Sequence, residues 1–224
     1  MRKLTASTFI SLDGIMQAPG GPTEDPSGGF SLGGWIFHYW DEVMRHSMPM
    51  SGFDGKDREL VLGRKTYEIF EAYWPYQPAD DPTAQTLNTA RKHVASRTLK
   101  ALHWQNSGLL NGDVGTAVAT LKSQDGPDLQ IIGSGALIQA LQTAGLIDEY
   151  HVWTFPVLLG AGKRLFETGA KPGALRLTQC HHSTTGVVMS TYVMAGEIPL
   201  GSFAQDAPSD KERERREKWA REEQ

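Results

Sequence analysis

A single cysteine, Cys180, stands among the 224 residues, so no internal disulfide can form, in keeping with a reducing compartment. Long apolar runs are missing as well. Nothing approaches the roughly 18 uninterrupted apolar residues of a membrane span. The start, Met1-Arg2-Lys3 followed by a Thr- and Ser-containing alternation, lacks the apolar block of a signal peptide. A cytoplasmic protein without a membrane partner is the expectation. Nor is there an excess of positive charge: the net charge of -4 gives no whole-chain attraction for nucleic acid or anionic lipid. Any anion must therefore be held by a local arrangement of donors, which points to a small-molecule substrate. A metal is not expected, because His181 and His182 are adjacent, would face opposite sides of a strand, and have no Cys or carboxylate at ligand spacing. Cys180 reads as a small core residue.

What is present is an alternation of strand and helix signals, in a length that suits one domain. Residues 4–12 read as a strand ending at the turn dipeptide Asp13-Gly14. Residues 18–34 hold too much Pro and Gly for regular structure and read as a long loop, the kind that often serves as a lid. Phe37, Trp40, Val43 and Met44 lie at about helical spacing, predicting a helix over 35–48, and 51–56 form a loop insertion. A short strand at 59–62 ends at Gly63, after which Tyr67, Phe70 and Trp74 share a helical face until Pro75. A strand at 93–96 follows, then a helix over 114–122 capped by Asp113. The grammar repeats: a strand at 129–132, the turn Gly133-Ser134-Gly135, and a helix burying Leu137, Ile138, Leu141 and Ala144 before Gly145. A strand at 150–157 and a terminal antiparallel pair, 175–180 with 187–193, complete a mixed, mostly parallel α/β sheet with helices on both faces. The domain is drawn over 1–200. The remaining 201–224 form a charged tail, its end either a solvated helix laced by (i, i+4) pairs or disordered, with a partner-binding helix as the alternative.

Where a strand passes to a helix through glycine, unpaired amides and a close backbone approach favour phosphate. Two places qualify. Gly63-Arg64-Lys65-Thr66 puts two cations in an opening turn, where the helix dipole disfavours them unless an anion offsets them. Hydrated surface side chains fit the same residues. Gly133-Ser134-Gly135 is the second, and a purely structural turn fits it too.

The run Leu62-Gly63-Arg64-Lys65-Thr66-Tyr67-Glu68 resembles the dihydrofolate reductase helix that meets the NADPH phosphates. Val94-Ala95-Ser96-Arg97-Thr98-Leu99 resembles that family's next strand and adenosine-phosphate loop, and Ile131-Ile132-Gly133-Ser134-Gly135 with Leu137 its third cofactor motif. Ser11-Leu12-Asp13-Gly14, Gly145-Leu146-Ile147-Asp148-Glu149 and the stretch from Pro156 to Phe166 are similar to one branch, the reductase domain of the bifunctional riboflavin-biosynthesis deaminase-reductase and its stand-alone relatives. The resemblance spans about residues 3–195 and implies a dihydrofolate reductase-like fold with NADPH as cofactor. It makes Gly63, Arg64, Lys65 and Thr66 phosphate contacts, Ser96 and Arg97 contacts of the 2'-phosphate, and Gly133, Ser134, Gly135, Ala136 and Leu137 the pyrophosphate turn. Ile15 lies beside the nicotinamide in this scheme, and Asp41 is the candidate proton donor, with an ordinary solvated helix residue as its other reading. A homodimer is implied by the same likeness. Ser134 departs from it, standing where dihydrofolate reductases have the second glycine of a pair joined by a cis peptide. Three functions stay open: an NADPH-dependent reductase of a small heterocycle or ribosylamino-pyrimidine-like compound, a true dihydrofolate reductase, and a non-catalytic nucleotide- or flavin-binding protein.

Overall fold

A computed structural model describes residues 1–48, 54, 56–203 and 207–223. Eight strands form one sheet: β1 (Leu4–Ser11), β2 (Arg58–Gly63), β3 (Lys92–Ala95), β4 (Ser107–Leu109), β5 (Asp128–Ile132), β6 (Glu149–Phe155), β7 (Leu175–His182) and β8 (Val188–Met194). Their order is β4-β3-β2-β5-β1-β6-β8-β7. The first six are mutually parallel, and β8 pairs antiparallel with both β6 and β7. The mixed, mostly parallel sheet with its closing hairpin is therefore as expected.

Alternation along each strand sorts the core into two layers. Leu4, Ala6, Val61, Leu129, Ile131, Tyr150 and Val152 point to one face, where Val118 of α4 (Val114–Ser123) and Leu137, Ile138 and Leu141 of α5 (Gly135–Thr143) cover them. Leu60, Leu62 and Val94 point the other way, against Tyr67 of α2 (Arg64–Glu71) and Leu87 of α3 (Pro82–Thr89). On that second face Phe9, Trp153, Phe155 and Met189 meet Met44 of α1 (Glu42–His46) and the rings of Trp35, Tyr39 and Trp40. Helices thus flank both faces.

Several elements differ from expectation. The helix predicted over 35–48 is split into a 3-10 turn at Phe37–Tyr39 and the five-residue α1, because Trp40 and Asp41 are extended and the Asp41 side chain caps Met44 instead. Of the insertion at 51–56 only Asp54 and Lys56 are described. The helix beginning at Arg64 ends at Glu71, and Trp74 sits in a 3-10 turn of its own. Two elements were not anticipated. One is α3, begun by the Asp81 cap with Pro82 at its first position; the other is the three-residue edge strand β4. Cys180 lies in β7 and is exposed, not in the core, since all eight residues of that edge strand face solvent. The tail carries α6 (Asp210–Glu222), with no buried residue and laced by pairs such as Arg216–Glu212 and Lys218–Glu222.

Candidate functional site

The chain leaves β2 towards β3 on one side and leaves β5 towards β6 on the other, although β2 and β5 are neighbours. Divergent connections at adjacent parallel strands open a crevice at their carboxyl ends, the usual ligand position in open α/β sheets. Gly63 and Ile132 end those two strands, so α2 and α5 both begin at this crevice.

The two beginnings touch. Gly63 N–H donates to Ser134 Oγ at 2.9 Å, and Ser134 Oγ–H donates to Thr66 Oγ1 at 2.7 Å. A Cβ on Gly63 would lie 3.0 Å from Ser134 Oγ, so any larger residue there would press on the Ser134 side chain. Gly133 and Ser134 both adopt left-handed backbone, φ +64° each, joined by a trans peptide. That peptide is the observed form of the motif at which the resemblance offered a cis bond.

Capping separates these two helices from the rest. Asp41, Asp81, Asp113 and Ser209 each accept amide hydrogen bonds at the starts of α1, α3, α4 and α6. Neither α2 nor α5 has a side-chain cap. Helix-opening amides with no cap retain donor capacity for an anion, and the dipole adds to it.

The predicted cations lie around this point. Arg64 Nη1 bonds both carboxylate oxygens of Glu68, at 3.0 and 2.9 Å, on the half-exposed surface of α2. Lys65 Nζ donates to Ser27 Oγ at 3.0 Å and lies 3.6 Å from Asp25 Oδ1. Ala95 pairs with Gly63, so Ser96 and Arg97 emerge beside the start of α2. Ser96 Oγ accepts from the amides of Thr98 and Leu99, while Arg97 is exposed. Ala136 is exposed on the first turn of α5, and Leu137 is buried beneath it.

Ile15 sits past the end of β1, fully buried, its amide held by Ser11 Oγ at 2.8 Å and its backbone bridged to Arg164. Asp13 does more than form a turn. Its carboxylate accepts from the amides of Leu159 and Gly160 and from Ser11 Oγ, the last contact chief in holding its carboxyl down at about 2. The carboxyl end of β1 is thereby fastened to the loop after β6.

Four residues to which the sequence reading gave no role tie the 18–34 loop across this end of the sheet. Gln17 Nε2 donates to the carbonyls of Asp25 and Ser27, and Lys163 N–H donates to Gln17 Oε1 at 3.0 Å. Lys163 Nζ bonds Asp25 Oδ2 and Ser27 Oγ. Burial alone would raise the Asp25 carboxyl; the Lys163 ammonium and the Ser27 hydroxyl and amide outweigh it and bring it to about 2. Lys163 was marked only as part of the Pro156–Phe166 stretch, with no role, and nothing short of the fold marked the other three, since a Pro/Gly-rich loop gives no register for its polar residues.

Asp41 is placed elsewhere. Its Oδ1 accepts from Met44 N–H at 2.8 Å, and its Oδ2 from Thr184 N–H at 2.8 Å and Thr184 Oγ1 at 2.6 Å, which joins α1 to the β7–β8 turn. Those bonds, the Thr184 hydroxyl first, lower its pKa.

The model of the RibD C-terminal domain family matches residues 2–189. The chain belongs to that family. Among curated proteins it is similar to YyaP of Bacillus subtilis, 24% identical over 194 residues that cover 85% of this chain and 94% of YyaP. Among solved structures it resembles a protein named for riboflavin biosynthesis from Shewanella sp. PV-4, with TM-score 0.60 and 20% identity over 87% of this chain and 99% of that one. The dihydrofolate reductase of Enterococcus faecalis, solved with NADP(H), gives TM-score 0.53 and 13% identity over 86% of this chain and 96% of the enzyme. The RibD C-terminal domain chain thus has the dihydrofolate reductase-like fold and sits in a reductase-like family. No helix among its described residues is long and apolar enough to cross a membrane.

Proposed function

We propose that this protein is an NADPH-dependent reductase acting on a small heterocycle of the ribosylamino-pyrimidine type. The observation that carries the reading is the meeting of two uncapped helix starts at the crevice between β2 and β5, with Arg64, Lys65 and Thr66 in the first turn of one of them. A dinucleotide pyrophosphate is a ligand whose charge suits that set of amides and cations. Arg97 and Ser96, next along the sheet edge, suit the additional 2'-phosphate that separates NADPH from NADH. When bound, the cofactor would supply a hydride to the substrate.

The chain's own part is to hold charge and exclude water. The opening amides of α2 and α5, with Arg64 beside them, would hold the cofactor's phosphates. Lys65, which here contacts Ser27 and Asp25, would add a second cation to that set. Ile15, fully buried under Gly162 of the loop after β6, would support the end of β1 from beneath and not line the site. Asp41 is assigned to capping α1 and not to proton delivery, since both its oxygens are engaged and its pKa is lowered, the reverse of what a general acid requires.

The test measures loss of NADPH absorbance with a ribosylamino-pyrimidine and, separately, with dihydrofolate, alongside a binding titration. Oxidation with the pyrimidine supports the proposal. Oxidation with dihydrofolate alone transfers the assignment to dihydrofolate reduction, binding without oxidation leaves a nucleotide-binding protein, and absence of binding removes the cofactor.

A further inference from the structure

A hydroxyl has one proton to donate and two lone pairs to accept with, so a neighbour that can only donate turns that proton away from itself. An amide N–H can only donate. Gly63 N–H therefore makes Ser134 Oγ an acceptor, at 2.9 Å. The proton of Ser134 is then available to Thr66 Oγ1, 2.7 Å away. Thr66 Oγ1, having accepted along that line, must direct its own proton elsewhere, and no described group accepts it. Both hydroxyls are half-buried, at the uncapped start of α2.

We propose that Ser134 is a positioning residue: its hydroxyl, oriented by the Gly63 amide, turns the Thr66 O–H outward as a donor to the phosphate that α2 receives. The inference rests on the reading given above, that an anion binds there. Two further features fit it. Ser134 adopts φ +64° and ψ +62°, a left-handed conformation that costs a residue with a Cβ and costs glycine nothing. Its side chain is thus kept against a conformational penalty. Gly63, for its part, leaves room for that side chain, because a Cβ there would come within 3.0 Å of Ser134 Oγ and 3.1 Å of Ser134 Cβ.

The experiment titrates inorganic pyrophosphate and NADP+ calorimetrically into the full chain and into the S134A, S134G, T66V, T66S, S134A/T66V and S134A/T66S variants, with melting curves for each. A single hydrogen bond to a charged group sets the scale, so S134A is expected to weaken both ligands roughly three- to tenfold and T66V about tenfold or more. If Ser134 acts through Thr66, S134A costs nothing further in the T66V background and its full factor in the T66S background. S134G should bind as weakly as S134A while melting higher, because glycine relieves the left-handed backbone; a merely structural Ser134 would make binding follow stability instead. Should S134A not fold, S134G removes the same hydroxyl from a backbone that glycine tolerates. Multiplying losses in S134A/T66V, or binding that tracks melting temperature across the series, overturns the relay and leaves the phosphate site in place. Wild-type protein that binds neither pyrophosphate nor NADP+ overturns both.

Discussion

Replacing Arg64 by alanine separates a phosphate contact from a surface charge. In the structure the guanidinium grips both oxygens of Glu68 one turn along α2, with side-chain exposures of 41% and 42%. An exposed pair at this spacing contributes about 0.3 to 0.5 kcal/mol. A hydrogen bond from an arginine to a phosphate contributes about 1.5 to 3 kcal/mol. Turning Arg64 from Glu68 to a phosphate therefore nets about 1 to 2.5 kcal/mol, which at about 1.4 kcal/mol per decade is a loss of about five- to sixtyfold in NADPH affinity for R64A. Thermal stability should barely change, since only the surface pair is lost. E68A frees the guanidinium from its competitor and should tighten NADPH by no more than about twofold. The assay is a titration of tryptophan quenching by NADPH at fixed ionic strength, repeated at higher salt, where the R64A penalty should shrink. R64A with wild-type affinity, or with lowered affinity and an equally lowered melting temperature, would refute Arg64 as a phosphate contact.

Three other outcomes follow from the geometry. Asp41→Ala should lower the melting temperature, through loss of the α1 cap and of the tie to Thr184, while NADPH-dependent turnover per folded molecule stays unchanged; a selective collapse of turnover would restore it as proton donor. Asp25 ionises at about 2 in the folded chain against 3.8 for a free aspartate, so its contribution is complete above pH 3.8 and disappears as pH falls through about 2. Pepsin should accordingly spare residues 18–34 in the upper part of that window and cut them in the lower, whereas Asp25→Asn should expose them to proteinase K even at neutral pH. Lys92 is fully buried, its ammonium donating to the carbonyls of Asn88, Ala90 and Gln105 and lying 4.1 Å from the Trp104 ring centroid. Lys92→Met keeps the volume and abandons those acceptors, at an expected cost of about 2 to 4 kcal/mol in urea denaturation; a cost under about 0.5 kcal/mol would mean that the carbonyls find other partners.

Most of the strand-helix order was legible because apolar periodicity and glycine punctuation act locally. Gly63 and Gly133 marked both crevice turns, and Asp113 marked a cap, since each feature depends on residues within one turn. The spacing of Phe37, Trp40, Val43 and Met44 misled: Trp40 is drawn onto Phe9 and Trp153 and Met44 into the core while Phe37 stays exposed, so tertiary packing and not one helical face set their conformation. The edge strand β4 was invisible because three residues, one of them Gly108, carry no period. Asp25, Gln17 and Lys163 were given no role for a different reason. Their partners lie as far as 146 residues away, a separation over which a single sequence offers no pattern.

Gly63 and Ser134 are 71 residues apart in the chain yet bonded at the crevice. The segment running from α2 through β4 and the segment running from α5 onward thus share one seam, and whatever fills it stitches the early half of the sheet to the late half. An occupant at a hundred times its dissociation constant adds about 2.7 kcal/mol to the whole fold. Ligand occupancy should therefore protect amides in both halves from hydrogen exchange together, and a lesion in either turn should be sensed in strands that never touch it.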